Sequence, residues 1–172
     1  MIVRPPVDLD NGAIARLITA IVERGGTTAL TRPVTAEDIA EWRAFAPERS
    51  AWRVALDDAE AVQGVEWIEP RSDLPPEACD IATFVAPGRQ GLGIGSALFS
   101  AISDAAHRLG YRWINAAIRA DNEGGLIFYQ SRGFRPHGRV EDAALQDGIR
   151  VDKVLMRYDL DRPRGGRRSQ LR

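Results

Sequence analysis

Pro87-Gly88-Arg89-Gln90-Gly91-Leu92-Gly93-Ile94-Gly95-Ser96 is the stretch whose reading decides the fold. It follows an apolar run, Ile81 to Val85, and opens a stretch of helical periodicity, Gly95 to Leu109. Strand, glycine loop and helix start, in that order, build a cradle for phosphate oxygens. Glycine lets the backbone turn tightly and approach a ligand closely. The unpaired N–H groups of the first helical turn, at the positive end of the helix dipole, then face the anion. Spacing narrows the ligand. A dinucleotide fingerprint needs G-x-G-x-x-G, but its last position falls on Ser96 counted from Gly91 and on Leu98 counted from Gly93. A P-loop needs a lysine that this loop lacks. What remains is Gln90-x-x-Gly93-x-Gly95 with Arg89 before it.

A second segment lies downstream. Asn115 to Ile118 reads as a strand, Asp121-Asn122 follows, and a short helix is expected over Glu123 to Ser131, stopped by Gly133-Phe134. Taken with the glycine loop, the spacing Asn122…Tyr129…Gly133-Phe134 resembles the GNAT superfamily of acetyl-CoA-dependent N-acetyltransferases. The likeness is greatest to the phosphinothricin and methionine-sulfoximine N-acetyltransferase type. It extends over Gly26 to Thr35, Ala116 to Asn122 and Val151 to Leu160, and so spans most of the chain. The resemblance implies an α/β (α+β mixed) fold, with a central, mostly antiparallel sheet flanked by helices.

Composition sets the outer bounds. A chain of 172 residues suits one domain, expected over 1–161. Hydrophobic residues at 44% and charged residues at 27% are ordinary for a soluble globular protein. A net charge of −1 provides no field that would favour nucleic acid or an anionic membrane. No apolar run approaches a membrane span, and the N-terminus lacks a signal-peptide pattern. Cys79 is the single cysteine, so no internal disulfide is expected and a cytoplasmic location fits. With only His107 and His137 as histidines, no metal site is expected. Residues 162–172 carry five arginines without apolar periodicity and read as a flexible basic tail. The tail lacks aromatic residues on which bases would stack.

Elsewhere, Ile2 to Arg4 reads as a first strand. Asp8 or Asp10 is placed to cap a helix running to about Arg24, and Thr35-Ala-Glu-Asp38 opens a second helix as a capping box. Trp52 to Leu56 and Val62 to Ile68 form a hairpin. Pro70 to Pro76 is a loop expected over the sheet's edge, and Val151 to Asp159 is the last strand. The helix after the glycine loop should bury Ile94, Ala97, Leu98, Ala101, Ile102, Ala105 and Leu109. The tryptophan-bearing second helix and its loop are expected to leave apolar surface uncovered. With the resemblance, this points to a homodimer.

The resemblance also implies roles. Gly91, Gly93, Gly95 and Ser96 would donate backbone N–H groups to the pyrophosphate, helped by the Arg89 or Gln90 side chains. Pantetheine would lie along Phe84-Val85, with Asn122 holding it and the Val85 N–H facing the thioester carbonyl. Tyr129 would protonate the leaving thiolate, a phenol being protonated at neutral pH. The subfamily's glutamate, seven residues before the proline that closes the central strand, corresponds to Asp80 here. Glu66 and Glu69 are rival bases read as facing the same region. Arg71 would pair with an acceptor carboxylate. Two departures stand out. The subfamily usually carries histidine at the position of Tyr129, and the loop from Pro70 to Glu77 lacks its aromatic residues. The expected function is acetyl transfer to the amine of a small amino-acid-like acceptor. A protein N-acetyltransferase and a non-catalytic acyl-CoA-binding domain stand as alternatives.

Overall fold

Apolar periodicity resolves into four helices and seven strands in the computed structural model, which describes residues 1–145 and 147–160. The order is β1 (Ile2–Arg4), α1 (Asn11–Arg24), α2 (Ala36–Ala44), β2 (Ala51–Leu56), β3 (Val62–Glu69) and β4 (Ala78–Val85). It continues α3 (Ile94–Arg108), β5 (Trp113–Arg119), α4 (Glu123–Arg132), β6 (Arg135–Ala144) and β7 (Arg150–Asp159). The basic tail expected at 162–172 lies outside the described residues.

All strands join one sheet in the order β1-β2-β3-β4-β5-β7-β6. Every neighbouring pair is antiparallel except β4 with β5. Side chains alternate between the two faces of a strand, which divides the core. On one face Val54, Val65, Trp67 and Phe84 pack with Ile14 and Ile18 of α1 and Ile39 of α2. On the other, Ile68, Ile81, Ile114 and Ile118 pack with Phe99 and Ile102 of α3 and Tyr129 of α4.

The helix starts follow capping chemistry, with one difference. At α2, Thr35 Oγ1 accepts from the Asp38 N–H at 3.1 Å, and the Asp38 carboxylate accepts from the Thr35 N–H at 2.9 Å. This closes the expected box. Asp10 stands at the start of α1 but makes no side-chain cap. Its carboxylate instead accepts a fork from Arg4, at 2.7 and 3.1 Å, and the Val7 N–H at 2.7 Å, which holds it towards the chain before the helix.

Four expectations need correction. β6 was not foreseen: Arg135 to Ala144 has no alternating pattern, contains Pro136 and Gly138, and is exposed almost throughout. It forms because β7 offers a partner, with register shifts at Pro136/Gly138 and Val140/Ala143, as edge strands tolerate. The loop after β3 does not lie over an edge. It joins two central antiparallel strands and therefore sits at their ends. In α3, Phe99, Ser103 and Ala106 are buried alongside Ile94, Leu98, Ile102 and Ala105, while Ala97, Ala101 and Leu109 are only half-buried. Trp42 does not leave α2 uncovered. Its ring lies 6.0 Å from Trp67, which stacks on Trp52 at 4.1 Å, and Phe45 at the end of the helix is the exposed aromatic.

Candidate active site

The sheet is interrupted in its middle. β4 and β5 pair only over Ala78↔Trp113, Cys79↔Ile114 and Asp80↔Asn115, although β4 runs on to Val85 and β5 to Arg119. Beyond Asp80 the strands part. The Ala86 N–H donates to the Gln63 carbonyl at 2.8 Å, which fixes the alternation along β4. Main-chain groups of Ala82 and Phe84 therefore turn to β3, and those of Thr83 and Val85 turn into the opening. Val85 thus offers its N–H to the gap. Phe84 does not: its backbone belongs to the β3 ladder, and its ring stacks on Trp67 at 5.6 Å.

At the end of β4 the chain enters the glycine loop. Gly88, Gly91 and Gly93 all have positive φ, and Gly93, at φ 79°, is the residue before α3. The Ala97 N–H makes the first intrahelical bond, to the Gly93 carbonyl, and no side chain caps the helix. The amides of Ile94, Gly95 and Ser96 thus have no intrahelical acceptor. The side chains nearby are partly engaged. Gln90 Oε1 accepts from the Gly88 N–H at 3.0 Å, while Arg132 donates to Ser96 Oγ. Arg89 and Gly91 are exposed. Gly95 serves packing: a Cβ there would lie 2.6 Å from Phe128 Cε2, so its absence lets α3 and α4 approach.

Asn122 begins α4. Its Oδ1 accepts from the Gly125 N–H at 3.0 Å, and its Nδ2 donates to the Thr27 carbonyl at 3.1 Å. Both ends of the amide are used. They tie the segment after α1 to the end of β5, where Arg119 also donates to Thr28.

Two sets of polar side chains reach the gap from opposite faces. On the α1/α2 face, Asp80 Oδ1 accepts from Asn115 Nδ2 at 2.9 Å, and Asn115 Oδ1 meets His137 Nε2 at 2.8 Å. With Asn115 Oδ1 an acceptor only, His137 donates from Nε2. Burial raises the Asp80 pKa, opposed by the Asn115 hydrogen bond and the Arg71 charge 3.6 Å away. Burial also raises Glu69, helped by Asp80 opposite it on β4. Arg71 is already forked onto Asp73, at 2.9 and 3.0 Å.

On the α3/α4 face, the buried Tyr129 extends from α4, and its hydroxyl meets Thr83 Oγ1 at 2.7 Å, beyond the point where the strands part. Thr83 Oγ1 is also 2.7 Å from Glu66 Oε2. Burial, reinforced by Glu66, pushes the Tyr129 pKa far up. Glu66 is 0% exposed, and burial lifts its carboxyl to about 8. Glu66 and Glu69 therefore do not face the same region. Residues three apart on a strand point to opposite faces. Glu66 shares the tyrosine's face and Glu69 that of Asp80.

Asn115, His137 and Thr83 were not singled out from sequence. The one available signal was polarity inside apolar strand runs, Asn115 and Thr83 each interrupting one. His137 lies in the strand that carried no pattern. Among the described residues, no group of three or more His, Cys, Asp and Glu side chains is arranged to hold a metal ion.

An opening between two strands, with backbone donors along one wall and an anion cradle at its end, suits a long phosphorylated thioester. Fold and cleft together define an acyltransferase. The model of the acetyltransferase (GNAT) domain family matches residues 48–136. A phosphinothricin N-acetyltransferase of Streptomyces coelicolor is 30% identical over 151 residues, covering 85% of this chain and 88% of that protein. The L-methionine sulfoximine/L-methionine sulfone acetyltransferase of Salmonella typhimurium is 29% identical over 80 residues, 46% of this chain and 47% of that protein. The crystal structure of a phosphinothricin acetyltransferase from Sinorhizobium meliloti, in complex with AcCoA, has a TM-score of 0.82 at 22% identity, covering 92% of this chain and 87% of that one. The chain belongs to the GNAT acetyltransferase family. It is an N-acetyltransferase.

Proposed function

We propose that the acceptor is the primary amine of a small amino-acid-like molecule and that the acetyl group passes to it directly. Asp80, Val85 and Tyr129 carry the chemistry. The observation that supports this most is the approach of Asp80 and Tyr129 to the opened seam from opposite faces of the sheet. A base and an acid on opposite sides of a thioester can act on attacking and leaving atoms without exchanging places.

Asp80 takes a proton from the acceptor ammonium through a water, burial making it a stronger base than an exposed aspartate. The amine nitrogen attacks the thioester carbonyl carbon, and the Val85 N–H receives the developing oxyanion. As the C–S bond breaks, the Tyr129 hydroxyl gives its proton to sulfur, and the second proton that the nitrogen sheds on becoming an amide passes through water to restore the phenol, whose raised pKa favours the protonated form. The Gly91 and Gly93 backbone and the free amides of Ile94, Gly95 and Ser96 hold the pyrophosphate, with Arg89 and Gln90 adding side-chain contacts. Asn122 fixes the far end of the seam and contacts pantetheine. Arg71 receives an acceptor carboxylate in place of Asp73. That exchange is inexpensive, since exposed ion pairs contribute about 1 kcal/mol or less.

The compounds for which the relatives are named, phosphinothricin and methionine sulfoximine, support the amino-acid-like class. The joining of all seven strands in one sheet supports one catalytic domain, proposed over 1–161, and the free Cys79 thiol is compatible with the cytoplasm. Exposed Phe45, Val7 and Leu9 support a homodimer, which light scattering at tens of micromolar would show or exclude. Thiol release from acetyl-CoA, screened over amino acids, their amides, spermidine and a lysine peptide, tests the acceptor class. Amino acids should be the best substrates, and preference for spermidine or the peptide would refute the reading.

A further inference from the structure

We propose that Glu66 is a positioning residue for Tyr129: through Thr83, its carboxyl sets the direction of a three-membered hydrogen-bond chain and so decides whether the phenol proton faces the seam. The inference rests on the reading of Tyr129 as the acid. Three observations carry it. The contacts are short and consecutive, Glu66 Oε2 to Thr83 Oγ1 at 2.7 Å and Thr83 Oγ1 to Tyr129 Oη at 2.7 Å. All three groups lie on one face of the sheet, and Thr83 stands on the edge of β4 that β5 leaves. Glu66 Oε1 is buried and has no hydrogen-bond partner.

A hydroxyl has one proton to give, so the chain has two polarities. With Glu66 ionised, the carboxylate only accepts. Thr83 donates to Glu66, Tyr129 donates to Thr83, and the phenol proton is turned into the protein, away from a leaving sulfur. With Glu66 protonated on Oε2, both bonds reverse. Glu66 donates to Thr83, Thr83 donates to Tyr129, and the phenol keeps its proton free for the seam. The unpartnered Oε1 favours the second state, because a bare carboxylate oxygen in an apolar site costs far more than a neutral carbonyl. A carboxyl lifted to about 8 by its burial holds that proton at neutral pH.

The surroundings leave Glu66 without a competing ion pair. Arg53 stands opposite it on β2, but that guanidinium donates to the Trp52 carbonyl, and no ion pair joins it to Glu66. The buried side of α3 contributes Ser103 and otherwise apolar side chains. From α4, Tyr129 is coupled to Glu66, while Arg132 donates to Ser96 and Glu123 is exposed. On β4, Asp80 points to the opposite face and acts on Tyr129 by charge alone.

Raman spectra of the full-length protein, taken as wild type minus Tyr129→Phe, isolate the Tyr129 Fermi doublet from those of Tyr111 and Tyr158. Its intensity ratio separates a phenol that accepts from one that donates. The wild type should show an accepting phenol below about pH 8 and a donating one above it. Glu66→Gln should accept throughout, because an amide donates to Thr83 without titrating. Thr83→Val, which severs the chain, should abolish the pH response, and Thr83→Ser should restore it. Single-turnover thiol release in wild type should fall along the same curve. A doublet that is constant in wild type, or that titrates equally in Glu66→Gln and Thr83→Val, overturns the proposal. Full thiol release by Tyr129→Phe would instead remove the acid role and leave the doublet's response intact.

Discussion

Replacing Glu66 with glutamine should flatten the pH dependence of folding stability, and the structure gives the size of the effect. Glu66 is fully buried and keeps its proton in the native protein to about pH 8, against an ordinary value of 4.5 in the unfolded chain. Between those values the native state holds one proton more than the unfolded state, so stability falls as pH rises. The contribution is complete below 4.5 and gone once pH has passed about 8. At roughly 1.4 kcal/mol per pH unit, that interval amounts to about 5 kcal/mol. A loss of that order is a large part of the roughly 5–15 kcal/mol that holds a domain folded. Glutamine has the same shape and nothing to titrate. Urea denaturation of both proteins, from about pH 5 to about pH 9, isolates the term, since Asp80, Glu69 and Cys79 cancel in the difference. The wild type should lose several kcal/mol relative to Glu66→Gln over this range. Parallel curves would refute the reasoning, because they would mean that Glu66 titrates alike in the folded and unfolded chains.

Other outcomes follow from the same geometry. Tyr129→Phe keeps the ring and removes the proton, so thiol release should fall on the order of 10²-fold with acetyl-CoA affinity retained, measured by turnover and calorimetry. Gly93→Glu places a carboxylate in the anion cradle and should abolish the rise in Tm that acetyl-CoA gives the wild type. Gly95→Ala drives a methyl to within 2.6 Å of Phe128 and should cost about 1–3 kcal/mol in urea, with wild-type stability counting against the packing role. Cys79 is buried, and its thiol is pushed up to about 12, so it should resist aromatic disulfide reagents until the protein unfolds.

The parts of this molecule legible in its sequence are those that local chemistry determines. Glycines at 88, 91 and 93 marked the left-handed turns before α3, and Thr35 with Asp38 marked the start of α2. The family resemblance points to Asp80 and Tyr129 through their spacing from Pro87 and Asn122. What could not be read depends on register. Nothing in the string shows that Thr83 stands opposite Glu66, or that β4 and β5 stop pairing after Asp80. Glu66 and Glu69 looked interchangeable because both are acidic and near in sequence, whereas a two-residue side-chain repeat separates them completely. β6 was hidden for another reason: an exposed edge strand has no buried face, hence no alternation, and its partner alone defines it.

The interrupted ladder between β4 and β5 also has a mechanical meaning. The left half-sheet, β1 to β4, and the right half-sheet, β5 to β7, share a main-chain junction of only three residue pairs. A ligand strung along the Thr83 and Val85 amides, as proposed, would complete a row of donors and acceptors that the polypeptide itself leaves open, and so would act as a replaceable eighth strand. Protection from amide exchange at Thr83 and Val85 then reports occupancy of the seam. On the proposed reading, the protein would alternate between two leaves joined along a short spine and one continuous sheet.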